Sequence, residues 1–319
     1  MKKMRWLGVL FGTALFVGIL CQSDLSLVWD QVRSLKPWRF GIIVLFYGVI
    51  FWLDTLGWKF AMNHSAGGLV RWDRLFRARL AGEALNYVTP AAALGGEPVK
   101  AYILSKKYGV PLSDGMASVV VAKTTLAVSM LLFVLTGVVL TLLTQPIPPV
   151  VSSLVWTTFS VLALLMGLFM AVQFSRPFQR AAGFAQRFLP GWISSFLEKA
   201  KEWDRAILHY YRLSPERFFY SLTFHFLGWV AGVIEVYLIF HFLQAPVGWS
   251  TAWSVEALWV LLRSGAFMIP ATLGASEGFL LLICVGMGLG AVSGLALALV
   301  RRARELLWMG LGLVEFSRG

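Results

Sequence analysis

The sequence predicts an all-α, polytopic integral membrane protein: an inverted-topology repeat with two re-entrant, broken-helix hairpins. Three observations predict it. First, 58% of the residues are hydrophobic, only 14% are charged, and mean hydropathy is +0.73. Charge-free windows run from Trp6 to Ser23, Thr124 to Leu143, Pro148 to Phe174 and Gly278 to Val300. About 20 apolar residues span a bilayer core. Second, the stretch Gly82 to Lys100 is apolar enough to enter a membrane. Yet Pro90, Gly95, Gly96 and Pro98 break it, and it carries Glu83, Asn86, Glu97 and Lys100. Backbone freed by Pro and Gly is tolerated at membrane depth only where protein or a water-filled cavity covers it. Such interrupted segments point to a transporter's binding site. Third, the Pro-x6-Glu spacing of Pro90 to Glu97 recurs 180 residues later, from Pro270 through Gly274 to Glu277.

Composition also excludes. A net charge of +12 in so apolar a chain argues for an anionic membrane surface, not nucleic acid. The two cysteines, Cys21 and Cys284, make neither a disulfide framework nor a metal motif. The four histidines (His64, His209, His225, His241) have no ligand spacing and read as structural or interfacial. No Walker motif is present, so ATP is not used directly. Neither a cofactor nor a metal is expected.

In chain order, Met1 to Leu20 has the basic start and apolar run of a signal peptide, but Leu20-Cys21 fits no cleavage site. It reads as an uncleaved first helix with a cytoplasmic N-terminus. Residues 21–37 then lie outside, and a helix runs from Trp38 to Trp58 with Asp54 near its inner end. Lys59, Arg71, Arg74, Arg77 and Arg79 place the next region in the cytoplasm. There Arg71 to Leu80 reads as an interfacial helix leading into the broken stretch. Further spans follow over 115–143, containing Lys123, and 150–174. The polar stretch 176–217 reads as a cytoplasmic amphipathic linker, either on the inner leaflet or as a solvated connection. A helix over 218–243 contains Glu235. The second broken segment covers 249–285. A last helix, 291–314, carries Arg301, Arg302 and Arg304, and its C-terminus is cytoplasmic.

The chain is thus a single transmembrane domain over 1–319, with a first repeat at 38–143 and a second at 218–315. Adding 180 moves Asp54 beside Glu235, Glu83 onto Arg263, and Lys123 between Arg302 and Arg304. The two halves are counted as opposite in orientation, a transporter architecture. An ionisable residue at a helix centre costs about 2.5–3.5 kcal/mol on insertion scales, so these charges need partners. Glu97, Lys123, Glu277, Arg301, Arg302 and Arg304 are expected to line a groove for a lipid's polar head, with Glu277 paired to Arg301 and with Asp54, Glu83, Glu235 and Arg263 as supporting charges. Half-helix N-termini at Pro90 and Pro270 would add partial positive charge.

At these residues the chain resembles the flippase-like transmembrane domain of the lysylphosphatidylglycerol synthase family, shared with stand-alone UPF0104-like and hopanoid-cluster membrane proteins. The carriers are Gly82-x3-Asn86-x3-Pro90-x4-Gly95-Gly96-Glu97-x2-Lys100 and Pro270-x3-Gly274-x2-Glu277, followed by an arginine-bearing helix. The resemblance covers about residues 5 to 315. It implies movement of a phospholipid or other polar-headed lipid between leaflets of a bacterial cytoplasmic (inner) membrane; it does not imply aminoacyl transfer. The expected partner is a membrane lipid with an anionic or aminoacylated head group; a second copy or a lipid-synthesis enzyme is the protein partner held open. The competing reading is a membrane-embedded enzyme or scaffold in lipid-linked (hopanoid, aminoacyl-lipid or polyprenyl-glycan) synthesis.

Overall fold

The computed structural model describes residues 25–88, 95–144, 149–177, 179–181, 191–265, 272 and 274–317, with no side-chain description for 25, 65, 149–151, 154 and 191–200. The expected first helix, Pro90 and Pro270 lie outside the described residues. Those described form twelve helices and no strand: α1 (Leu25–Arg33), α2 (Pro37–Phe60), α3 (His64–Leu69), α4 (Trp72–Val88), α5 (Glu97–Tyr108), α6 (Leu112–Thr144), α7 (Pro149–Phe174), α8 (Gly191–Leu213), α9 (Pro215–Phe242), α10 (Trp249–Gly265), α11 (Ala275–Gly286) and α12 (Ala291–Ser317). The chain is an all-α polytopic membrane protein. Four helices, α2, α6, α9 and the Val155–Phe174 part of α7, are long and apolar enough to cross a bilayer. Pro37 and Pro215 open α2 and α9 in the first turn, where a missing N–H costs nothing.

Three boundaries differ from the sequence reading. Arg71 to Leu80 and the start of the broken stretch form one helix, α4, so the interruption begins only after Val88. Residues 21–37, read as an outer connection, contain α1. Its Val28 is buried, and the Gln31 amide donates to the Leu243 carbonyl and the Ser293 hydroxyl, both at 3.4 Å. The linker docks through α8: Ala206, Ile207 and Tyr210 are buried, and the Tyr210 hydroxyl donates to the Phe60 carbonyl at 3.0 Å.

The apolar interior is divided. One cluster gathers Phe133, Val134 and Val138 of α6, Val233 to Phe240 of α9, and residues of α10, α11 and α12. A second gathers Trp58, Met62, Leu75, Leu104, Val119, Val121 and Tyr210. Charge sits between them. Along α2, Asp54 lies between Ile43 of the first cluster and Trp58 of the second; along α6, Lys123 lies between Val121 and Phe133; along α9, His225 lies between Phe218 and Val233. Outward faces present Leu45, Leu143, Leu164, Leu168, Leu282 and Leu311, as a lipid-facing surface does.

Candidate functional site

The first charged group is built where α4 and α5 meet. A Cβ on Gly96 would lie 1.8 Å from the Gly82 carbonyl oxygen, so only glycine lets the start of α5 touch the α4 backbone. Asn86 holds the two ends of the break. Its Nδ2 donates to Glu97 Oε1 at 2.9 Å, and its Oδ1 accepts the Gly96 N–H at 2.7 Å. Lys100 Nζ lies 2.5 Å from Glu83 and 3.1 Å from Glu97, while Lys123 Nζ reaches Glu97 from α6 at 2.8 Å. Next to them Asp54 takes Arg79 on Oδ2 at 3.0 Å and His225 Nδ1 on Oδ1 at 3.1 Å. Trp58, Arg79, Glu97, Lys100, Lys123 and His225 border a cavity of about 20 Å³, room for roughly one water.

The second group is built on α12. Arg301 pairs with Glu256 of α10 at 2.6 Å and approaches Glu235 of α9 at 3.4 Å; Arg304 pairs with Glu235 at 2.7 Å. All four are at least 95% buried. Arg302 Nε donates to Glu277 Oε1 at 2.6 Å, so the partner of Glu277 is Arg302 and not the expected Arg301. The residue at 301 turns to Glu256 because positions 301 and 302 lie about 100° apart on a helix. Arg302 also donates to the Tyr87 hydroxyl and meets Glu305 at 3.2 Å. Gly274 opens α11 at φ +75°, a conformation that an L side chain resists.

The two groups meet on α4. Asn86 belongs to the first and its neighbour Tyr87 to the second: the Tyr87 hydroxyl donates to Glu305 at 3.1 Å. Glu97 and Glu277 are therefore linked through Asn86, Tyr87 and Arg302. Between α2, α4, α10 and α12 lies a cavity of about 180 Å³, bordered by Tyr47, Asp54, Arg79, Glu83, Tyr87, Arg263 and Glu305, with Ile50, Phe51, Trp308 and Met309 as apolar wall. Arg301, Arg302 and Arg304 do not border it. Arg263 does, with its guanidinium 4.7 Å from the Trp259 ring centre. Among the described residues no carboxylate lies within 4.0 Å of Arg263.

Sequence reasoning put Asp54, Glu83 and Arg263 in a supporting role, but they stand on the larger cavity. It gave no role to Tyr87, Glu256 or Glu305 and counted Arg79 only as a cytoplasmic charge. A signal was present: Arg79, Glu83 and Asn86 fall at i, i+4 and i+7, one helix face, as do Glu256, Trp259 and Arg263 at i, i+3 and i+7.

A family model described as the lysylphosphatidylglycerol synthase TM region matches residues 5–312. A UPF0104 membrane protein of Methanothermobacter thermautotrophicus (strain ATCC 29096 / DSM 1053 / JCM 10044 / NBRC 100330 / Delta H) is 25% identical over 300 residues, covering 88% of this chain and 84% of that protein. No solved structure matches the chain. With a match running almost end to end, the chain belongs to the lysylphosphatidylglycerol synthase TM region family.

Proposed function

We propose that the protein moves a polar-headed lipid between the leaflets of the cytoplasmic membrane, holding the head group in the cavity beside Arg263. The observation that carries this reading is an arginine that no carboxylate of the described residues touches within 4.0 Å, on a cavity of about 180 Å³ inside an apolar, helical protein. The carboxylates at that cavity are all engaged: Asp54 by Arg79, Glu83 by Lys100, Glu305 by Arg302. Glu305 acts on Arg263 only through space, so an anionic head group would supply the direct contact, and Arg offers a phosphate two parallel N–H donors. Tyr47 and Tyr87 border the same space. Leu45, Val49 and Trp52 of α2 and Leu306, Leu307 and Leu311 of α12 are exposed and give acyl chains an apolar path outside it. Opposed repeats at 38–143 and 218–315 would let the two halves rock about that point.

Reconstitution with a labelled phospholipid tests the reading. The expected result is protein-dependent leaflet exchange, slowed at least tenfold by Arg263→Gln and less by Arg263→Lys. A tenfold loss is about 1.4 kcal/mol, within the range of one charge-assisted hydrogen bond. Head-group conversion without exchange would favour the membrane-enzyme reading, and neither outcome would favour the scaffold reading.

A further inference from the structure

The two cavities share a contact. Asp54 borders the larger and His225 the smaller, and the two side chains are 3.1 Å apart. Each helix makes room for the other's charge. On α2, a Cβ at Gly57 would fall 2.6 Å from the His225 ring; on α9, a Cβ at Gly228 would fall 2.8 Å from Asp54 Oδ1. The pair is thus fitted into the α2–α9 interface rather than tolerated at its edge. His225 is 1% exposed, and its Nε2 has no hydrogen-bond partner among the described residues. Asp54, ion-paired to Arg79, offers only acceptor oxygens, so His225 Nδ1 carries the ring proton and Nε2 is a bare acceptor. The groups around the ring are Asp54 of α2, Arg79 and Glu83 of α4, Glu97 and Lys100 of α5, and Lys123 of α6. A buried acceptor facing no donor is costly unless it has something to accept.

We propose that Asp54 and His225 form a proton-binding site, and that its proton is the coupling ion for lipid movement. This rests on the lipid-exchange reading above. A proton enters from the smaller cavity and bonds to Nε2. The Nδ1 proton passes to Asp54 Oδ1, so the ring ends neutral as its other tautomer and the carboxylate ends as a carboxylic acid. One proton is taken up and none is lost. Asp54 then no longer neutralises Arg79, and the freed guanidinium joins Arg263 on the larger cavity. An anionic head group binds best to that state, so proton and lipid favour each other's binding.

Two measurements test this. In vesicles carrying a pH difference, one proton per lipid shifts the steady-state leaflet ratio tenfold per pH unit. The wild type should show that shift, whereas His225→Gln and Asp54→Asn should settle at a ratio that ignores the gradient. A variant keeping the tenfold shift overturns the proposal, as does a wild type that exchanges lipid without following the gradient. A wild type with no exchange at all overturns the lipid reading instead. The proton site is then decided by imidazole nitrogen NMR on a chain carrying His64→Gln, His209→Gln and His241→Gln, three exposed positions. There the His225 resonances should change as the pH is lowered, and that change should be altered when Asp54→Asn is added. A ring whose signals stay flat over the whole pH range in which the protein stays folded overturns the site.

Discussion

At the scale of single residues, close approach and ion pairing make different demands. Gly96 is fixed by sterics: the Gly82 carbonyl occupies the space its Cβ would need, and both atoms are backbone. Gly96→Ala should therefore cost at least the ~1–3 kcal/mol of an overpacked core site, read as a lower unfolding temperature in detergent. Gly167→Ala, where nothing lies within 4 Å, should be neutral or slightly stabilising. Glu256 is fixed by charge instead. Its carboxylate takes Arg301 at 2.6 Å, and both side chains are 4% exposed. Glu256→Gln leaves Arg301 with only Glu235, itself held by Arg304. Breaking one side of a buried pair costs about 3–5 kcal/mol, so this variant should fold poorly whatever lipid is present.

At the scale of elements, α8 shows what the sequence could and could not reveal. Its interspersed aromatic and basic residues read equally as a surface helix or a solvated connection, because both have the same composition. Which face is buried depends on what α6 and α9 present, and that is tertiary information. Tyr210 decides it here: a fully enclosed ring whose hydroxyl reaches the Phe60 carbonyl. Tyr210→Ala should destabilise by about 3–5 kcal/mol and raise hydrogen exchange along 201–213 before the rest of the chain. A helix merely resting on the leaflet would show no such local loosening. The long spans α2, α6, α7 and α9 were legible because apolar length alone defines them. The break after α4 was legible from Gly95, Gly96 and Pro98, but its start was not: Gly82 stays helical, used for contact rather than for a turn. Asp54, Glu97, Glu277 and the α12 arginines were legible as charges in an apolar chain. Their partners were not, since Glu256 is separated from Arg301 by 45 residues and Glu235 from Arg304 by 69, and no spacing rule reaches that far.

At the scale of the whole molecule, charge fills the middle of three helices while apolar clusters fill either side. The buried charges of the molecule are of two kinds. Arg301, Arg304, Glu235 and Glu256 face one another and border no large cavity; Arg263, Arg79 and Asp54 border the cavity of about 180 Å³. Well-packed apolar residues often replace a buried ion pair with no loss, or with a gain of ~1–4 kcal/mol, because neither charge is then desolvated. The double variant Glu256→Met with Arg301→Met leaves the Glu235–Arg304 pair intact and strands no charge. It should therefore recover most of the stability that Glu256→Gln loses, and it should retain lipid exchange within a few-fold. Replacing both Asp54 and Arg79 by Met is equally balanced in charge but leaves the buried His225 Nδ1–H without its acceptor, so it should be less stable than the first double variant, and it should abolish the response to a pH gradient. Measuring unfolding temperature and leaflet exchange on the same two double variants separates the charges that hold the helices together from those that meet the cargo. Equal loss of exchange in both would mean that the buried charges work as one unit and that the cavity has no privileged role.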